Sequence, residues 1–237
     1  MNGAYKTDLH CHTSEMSGCA KENAVDTINK YVEHGYTSLV ITNHCENTRI
    51  HAPLDYRYRY DSYEELINKI YDAIDYTKEV AGDRLYILSG FELCNSETEN
   101  DYLIYGLTRE QALGFDLCFS KMEKVSEYVR ACGGVIIQAH PMRMDMTLVH
   151  PELVDGYEIY NSSKNWLYVN NMAALWVQIT GGDNKILTAG NDHHNPKDIP
   201  TAGILTSKPI TNDAELIRVL KEKDFLIFHG TKMNCGD

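Results

Sequence analysis

Histidines and carboxylates in this sequence fall at spacings that suit shared coordination of a cation. His10 and His12 are separated by one residue, as are Asp192 and His194, and each pair follows a run of strand-forming residues. Successive strand side chains point to opposite faces, so the members of each pair would project together, with Cys11 and His193 turned away. Thr42-Asn43-His44, Gly90-Phe91-Glu92 and Ala139-His140-Pro141 each place a further ligand-type residue at the end of an apolar run. Imidazole and carboxylate suit zinc, manganese or iron, with magnesium a further candidate. A carboxylate such as Glu92 can also bridge two cations. A lone strand-end histidine is usually a cap or a core residue. Five such ends are harder to dismiss, because buried charge is costly unless it is paired or coordinated.

Short apolar runs alternate along the chain with longer amphipathic segments. The pattern predicts strands at Tyr5–His12, Ser38–His44, Leu85–Leu93, Asp101–Leu107, Val135–His140, Gly156–Tyr160 and Ile186–Asp192, with weaker ones at Gly203–Thr206 and Phe225–Phe228. Three- and four-residue apolar spacing predicts helices at Ala24–His34, Tyr63–Val80, Lys121–Cys132, Asn170–Thr180 and Asp213–Lys223, several of them stopped by glycine. Alternation of strand and helix implies a largely parallel sheet. Parallel strands deliver their C-terminal ends to one rim, where barrel enzymes place their chemistry. An open sheet would spread the ligand-type residues along a line, whereas a closed barrel gathers them into one mouth. The expected fold is therefore α/β, a single barrel domain over residues 1–237.

Composition narrows the function classes. The chain is 43% hydrophobic and 24% charged, ordinary globular values. A formal charge of −12, from 34 acidic against 22 basic residues, argues against nucleic acid as an obligatory partner. A local basic pocket could still take a small phosphate. No signal-peptide core and no run of roughly 18 apolar residues is present, so no membrane association is expected. Seven cysteines without a CxxC pair suggest reduced thiols in a cytoplasmic protein rather than a disulfide framework. Nothing in the sequence specifies an oligomer.

The segments Asp8-Leu-His-Cys-His-Thr13, Ile41-Thr-Asn-His44, Gly90-Phe-Glu92, Ala139-His-Pro-Met-Arg143 and Gly190-Asn-Asp-His-His194 together resemble the motifs of the polymerase-and-histidinol-phosphatase (PHP) family, in the same order. The resemblance implies a distorted seven-stranded βα, TIM-like barrel with two or three divalent metal ions, usually hydrolysing phosphoesters. It implies His10, His12, Glu92 and Asp192 around a first metal, with Glu92 bridging to a second that His140 binds. Asp101 stands where many relatives complete that second site with histidine. His44 and His194 would hold a third metal. Two positions depart from the family pattern: Ser17 replaces an aspartate, for which Glu15 is the nearest substitute, and Asn43 replaces an aspartate before His44.

Metal-activated water serves phosphoester hydrolysis well. Arg143 is the arginine expected to meet the phosphate, since its fork matches phosphate oxygens, and the family pattern H-P-x-R agrees. A general acid must protonate the leaving alkoxide; His193 and a metal-held water are the alternatives. Glu158, in Gly156-Tyr-Glu-Ile-Tyr-Asn161, could orient a ligand from behind or pair with a cation. The stretch from Arg49 to Tyr60, with three arginines and three tyrosines, is either an active-site lid or an exposed or oligomer-contact loop. The expected activity is hydrolysis of a phosphomonoester or phosphodiester of a small molecule, of nucleotide or histidinol-phosphate type. Amidohydrolase-type cleavage of a C–N bond and a non-catalytic regulatory barrel are the alternatives.

Overall fold

The computed structural model describes residues 4–52, 58–163 and 184–230. Ten strands form one mixed sheet: β1 (Tyr5–Asp8), β2 (Tyr36–Ile41), β3 (His44–Glu46), β4 (Tyr86–Cys94), β5 (Asp101–Tyr105), β6 (Val135–Gln138), β7 (Gly156–Asn161), β8 (Ile186–Gly190), β9 (Ala202–Thr206) and β10 (Leu226–His229). Their order is β10-β9-β1-β2-β4-β5-β6-β7-β8, with the short β3 paired beside β4. The described helices are α1 (Ala24–Glu33), α2 (Tyr63–Ala81), α3 (Arg109–Leu113), α4 (Met122–Ala131) and α5 (Asp213–Glu222). The helix expected at Asn170–Thr180 lies outside the described residues. No described helix is long and apolar enough to cross a membrane.

The sheet curls into a nearly closed barrel. Strands β8 and β1 share no full ladder, yet their continuations meet at the rim: Cys11 bridges His193, Asp192 N donates to His10 O at 2.8 Å, and His12 N donates to His193 O at 3.1 Å. Seven strands thus make up the ring, while β3, β9 and β10 are additions that raise the count to ten. The expected parallel pairing holds between β1, β2 and β4 and between β6, β7 and β8, and fails at two places. β5 runs antiparallel to both β4 and β6, and β9 runs antiparallel to β1 and β10. Residues 95–100, between β4 and β5, are too few for a crossover, so these strands turn back on each other.

Strand alternation sorts the core into two layers. On β2, Leu39 and Ile41 join the cluster beneath the helices, with Ile28 and Tyr31 of α1 and Leu66, Ile67 and Ile70 of α2, while Val40 joins an inner cluster. On β4, Phe91 and Leu93 face the helices and Leu88 faces inward. On β5, Tyr102 and Ile104 face outward and Leu103 inward. A two-residue period then carries Glu92 and Asp101 to the inner side, above the apolar filling. The inner cluster also takes in Leu216 and Leu220 of α5. Side-chain caps fix where the helices begin: Asn23, Ser62 and Asn212 each accept from a backbone N–H in the first turn, and Thr108 and Gln111 form a reciprocal capping box.

Candidate metal centre

The rim residues converge. His10 and His12 leave the end of β1, His44 opens β3, Glu92 sits on β4, Asp101 starts β5, His140 follows β6, and Asp192 and His194 follow β8. Because β5 is antiparallel, its N-terminal end reaches the rim that the C-terminal ends of β4 and β6 also reach. Ligand atoms fall into overlapping groups whose members lie within 4.8 Å of one another: His10, His12 and Glu92; His10, His140 and Asp192; Glu92, Asp101 and His140; His12, His44 and His194; and His44, Glu46 and Cys94. Glu92 Oε1 lies 3.0 Å from His140 Nε2 and 3.4 Å from His10 Nε2, and its Oε2 lies 3.0 Å from His44 Nδ1. Asp192 Oδ1 is 3.4 Å from the Nε2 atoms of both His10 and His12 and 3.2 Å from His194 Nδ1. A cavity of about 640 Å³ opens over this cluster, with Arg143, Arg49 and Lys21 also in its wall.

Hydrogen bonding decides which ring nitrogens face the centre. Ser17 Oγ donates to Asn43 Oδ1 at 3.0 Å, and that oxygen also accepts from Thr13 N, so the amide orientation is fixed. With its proton committed, Ser17 Oγ accepts from His12 Nδ1 at 3.2 Å. Glu158 Oε1 accepts from His10 Nδ1 at 3.0 Å, and Glu158 Oε2 accepts from the backbone N–H of His140 at 2.9 Å. Both Nδ1 atoms therefore carry hydrogen, and the Nε2 atoms of His10 and His12 face each other at 3.1 Å. Two imidazole lone pairs at that distance repel unless a proton or a cation lies between them. The buried Glu92 Oε2 has no hydrogen-bond partner. Lone pairs converging on a space with an unsatisfied carboxylate oxygen are what a divalent cation requires, and the donor set fits one.

Charge in the metal-free cluster follows the carboxylates. Burial opposes a charged His10, but Glu158, Asp192 and Glu92 outweigh it and hold its pKa well above the ordinary value. Burial likewise opposes charge on His194, yet Asp192 and Cys19 raise its pKa to about 10. His12 is depressed to about 4, by burial and then by His194 and His44. Partial burial would raise the Cys19 thiol, but hydrogen bonds with His194 and His44 bring it down to about 6. Glu92 is held well below the carboxylate range: burial works against its ionised form, and the charges on His10 and His44 prevail.

Two rim residues are also held in strained backbone. His140 and Asp192 adopt positive φ, 24° and 49°, a region unfavourable to side chains other than glycine. Each is pinned by a backbone N–H bond, His140 to Glu158 and Asp192 to His10 O. Gly190 has to be glycine, since a Cβ there would stand 2.5 Å from His10 Cβ and 2.6 Å from Glu158 Oε1.

The profile of the PHP domain matches residues 8–205. The chain belongs to the PHP domain family. No curated protein matches it at a significant level. Among solved structures, PsfC from Pseudomonas syringae aligns over 98% of this chain and 93% of its own, with a TM-score of 0.67 and 12% identity. An amidohydrolase from Chromobacterium violaceum, solved with sulfate and no metal, aligns over 93% of this chain and 97% of its own, with a TM-score of 0.58 and 13% identity. A candidate metal-dependent phosphoesterase from Bifidobacterium adolescentis aligns over 91% and 96%, with a TM-score of 0.53 and 14% identity. At these identities the neighbours establish the fold alone. PHP membership and the converging donor set together make the chain a metal-dependent hydrolase.

The PHP centre gathers His10, His12, His44, Glu92, Asp101, His140, Asp192 and His194, and leaves two expected residues outside it. Glu15 stands apart from the grouped donors: its Oε1 accepts from Ala24 N at 2.9 Å at the start of α1, and Ser17 supports His12 instead. His193 is not placed to protonate a leaving group. Strand alternation turns it behind the rim, where it is fully buried, bonded through Nε2 to Glu22 and set edge-on to Tyr31. Arg143 does line the cavity, its Nη1 3.4 Å from Asp101 Oδ2. Of the arginine- and tyrosine-rich stretch, residues 53–57 lie outside the described residues. Arg49 makes a two-pronged pair with Glu46, Tyr58 OH donates to Ser14 O, and Tyr60 OH donates to Met16 Sδ, so the described part packs onto the loop after β1. Cys19 and Glu46 also belong to the cavity wall. Cys19 arrives there by loop packing and Glu46 by the short β3, neither of which the strand periodicity of the sequence reveals.

Proposed function

We propose that this PHP chain hydrolyses a phosphomonoester or phosphodiester of a small molecule at the rim cavity. The observation that carries the reading is the placement of Arg143 in the wall of the cavity into which the imidazole and carboxylate donors converge, with Lys21 in the same wall. Cationic side chains beside a cation-binding cluster suit an anionic substrate and have little use for a neutral amide. Divalent cations held there would supply charge neutralisation at the phosphoryl group and activation of water. His10, His12, Glu92 and Asp192 would hold one, and Glu92, Asp101 and His140 a second.

The chain's own residues do the remaining work. Arg143 orients and neutralises phosphoryl oxygens through its planar fork. Glu158 and Ser17 lock the imidazoles of His10 and His12 with Nε2 toward the centre. The cavity, about 640 Å³, admits a small phosphorylated molecule and is too confined for a folded macromolecule. The test is a phosphate-release assay of metal-reconstituted protein with nucleotides, histidinol phosphate and aryl phosphates. Phosphate release is expected, and Arg143→Ala should lower kcat/KM by about 10–100-fold, the loss expected for a charge-assisted pair. Turnover of amide or cyclic C–N substrates with no phosphate released from any ester would replace this reading with amidohydrolase chemistry.

A further inference from the structure

Cys19, in the loop between β1 and α1, exposes its thiol at the cavity. Its Sγ lies 3.1 Å from His194 Nε2, and it also hydrogen-bonds His44. The loop is held in place on both sides of the cysteine, since Ala20 N donates to Ser17 O at 3.1 Å and Lys21 N donates to His194 O at 2.7 Å. The same two histidines join His12 in a group whose ring nitrogens lie within 4.8 Å of one another. Beneath them the buried Glu92 Oε2 has no hydrogen-bond partner and is aimed at His12 and His44, 3.3 and 3.0 Å away. Ser17 cannot serve this outer position, because its hydroxyl is occupied by Asn43, His12 and the backbone of His44.

We propose that Cys19 is a thiolate ligand to the third cation, the one that the family resemblance gives to His44 and His194, on the mouth side of the cluster. On binding, the S–H bond breaks, the proton passes to solvent and the sulfur electron pair goes to the cation, so no oxidant or reductant is needed. Thiolate is a soft donor. The outer position therefore favours zinc or cobalt over magnesium or manganese, whereas the inner positions, built from imidazole and carboxylate, discriminate less. This inference rests on the metal-centre reading and is independent of which bond the enzyme cleaves.

Cobalt(II) titration of the metal-free full chain tests it, alongside Cys19→Ser and Cys94→Ser. Cys94 is the competing thiol, since with His44 and Glu46 it forms another group of possible ligands, its Sγ lying 3.9 Å from His44 Nδ1 and donating to Asp101. The wild type should take up a third equivalent accompanied by a near-ultraviolet sulfur-to-cobalt charge-transfer band. Both the band and that equivalent should vanish in Cys19→Ser and persist in Cys94→Ser, while the visible absorption of the earlier equivalents remains in all three proteins. A third equivalent without the band, a band that survives Cys19→Ser, or saturation of the wild type before a third equivalent would overturn the proposal. Failure of the underlying metal centre looks different: no visible cobalt absorption in any of the three proteins, which overturns both.

Discussion

Each histidine of the rim has two ring nitrogens, and the protein has to choose which one meets the cation. For His10 the choice is made by Glu158, which accepts from Nδ1 and so bares Nε2. The same carboxylate holds the His140 backbone in its positive-φ conformation and accepts from Asn161 Nδ2, so one side chain orients two ligands. Partners of this kind typically contribute 10–100-fold in metal affinity. Glu158→Gln should therefore weaken metal binding by roughly that factor while the fold survives, because glutamine keeps the shape and one acceptor. Chelator competition measures it, and an unchanged affinity would show that His10 needs no such orientation. The rim residues His10, His12, His44, Glu92, His140, Asp192 and His194 are legible in the sequence because each falls at or just past the end of an apolar run, whereas Asp101, which begins its strand, is marked only by the family resemblance. Glu15 and His193 misled for opposite reasons. Glu15 is near His12 in the chain, but the turn that follows gives it to the start of α1. His193 adjoins two rim residues, and strand alternation, which already pointed it outward, sends it to Glu22.

The strands matter as levers that set these side chains at the rim, and β8 shows how little tolerance they have. Gly190 lies where β8 passes His10 and Glu158, closer than any Cβ permits. Gly190→Ala must push one of them aside. Overpacking of about 1–3 kcal/mol is expected, which would lower Tm by roughly 2–12 °C. Loss of tight metal binding should accompany it, because His10 is among the displaced groups. Thermal melts with and without added metal would check this, and a variant that melts and binds like the wild type would contradict the close approach. The nine expected strands match observed ones in place, to within a few residues at their ends. Their directions were less legible. Strand–helix alternation implies a largely parallel sheet without saying which strand departs from it; the short connection at residues 95–100 reverses β5, and only that reversal lets Asp101, the first residue of its strand, reach the rim. The extra strand β3 was hidden because His44 reads as the end of the preceding strand, whereas the chain kinks at residues 42–43 and pairs again with β4.

At the scale of the molecule, the centre is a store of protons that cations must displace. In the metal-free protein the raised pKa values of His10 and His194 mean that both rings are protonated near neutrality. Cations bind only the neutral rings, so apparent affinity should rise with pH and loading should release protons. Calorimetry in two buffers of different ionisation enthalpy would count them, and zero protons released at pH 7 would contradict the assignment. The stability of the metal-free fold has a matching sign. His194 has a folded pKa of about 10 against an ordinary 6.5, so its ion pair with Asp192 stabilises fully below 6.5 and is lost as pH rises through 10. This contribution should thus fall between these values, while the Cys19 thiol, lowered to about 6, contributes with the opposite sign as pH rises. The acidic balance of the chain, −12, argues against nucleic acid as an obligatory partner, but net charge says nothing of where cations sit. Cysteine counting was similarly coarse: it excluded a disulfide framework and passed over a thiol at the cavity mouth.

The most direct measurement is anomalous diffraction from crystals of the full chain loaded with manganese or zinc, recorded at the metal's absorption edge. Peaks are expected among His10, His12, Glu92 and Asp192, and on the His140 side of Glu92, with that carboxylate shared between them. Peaks confined to the molecular surface, or an empty rim in protein shown by elemental analysis to be loaded, would contradict the metal centre and the hydrolysis built on it.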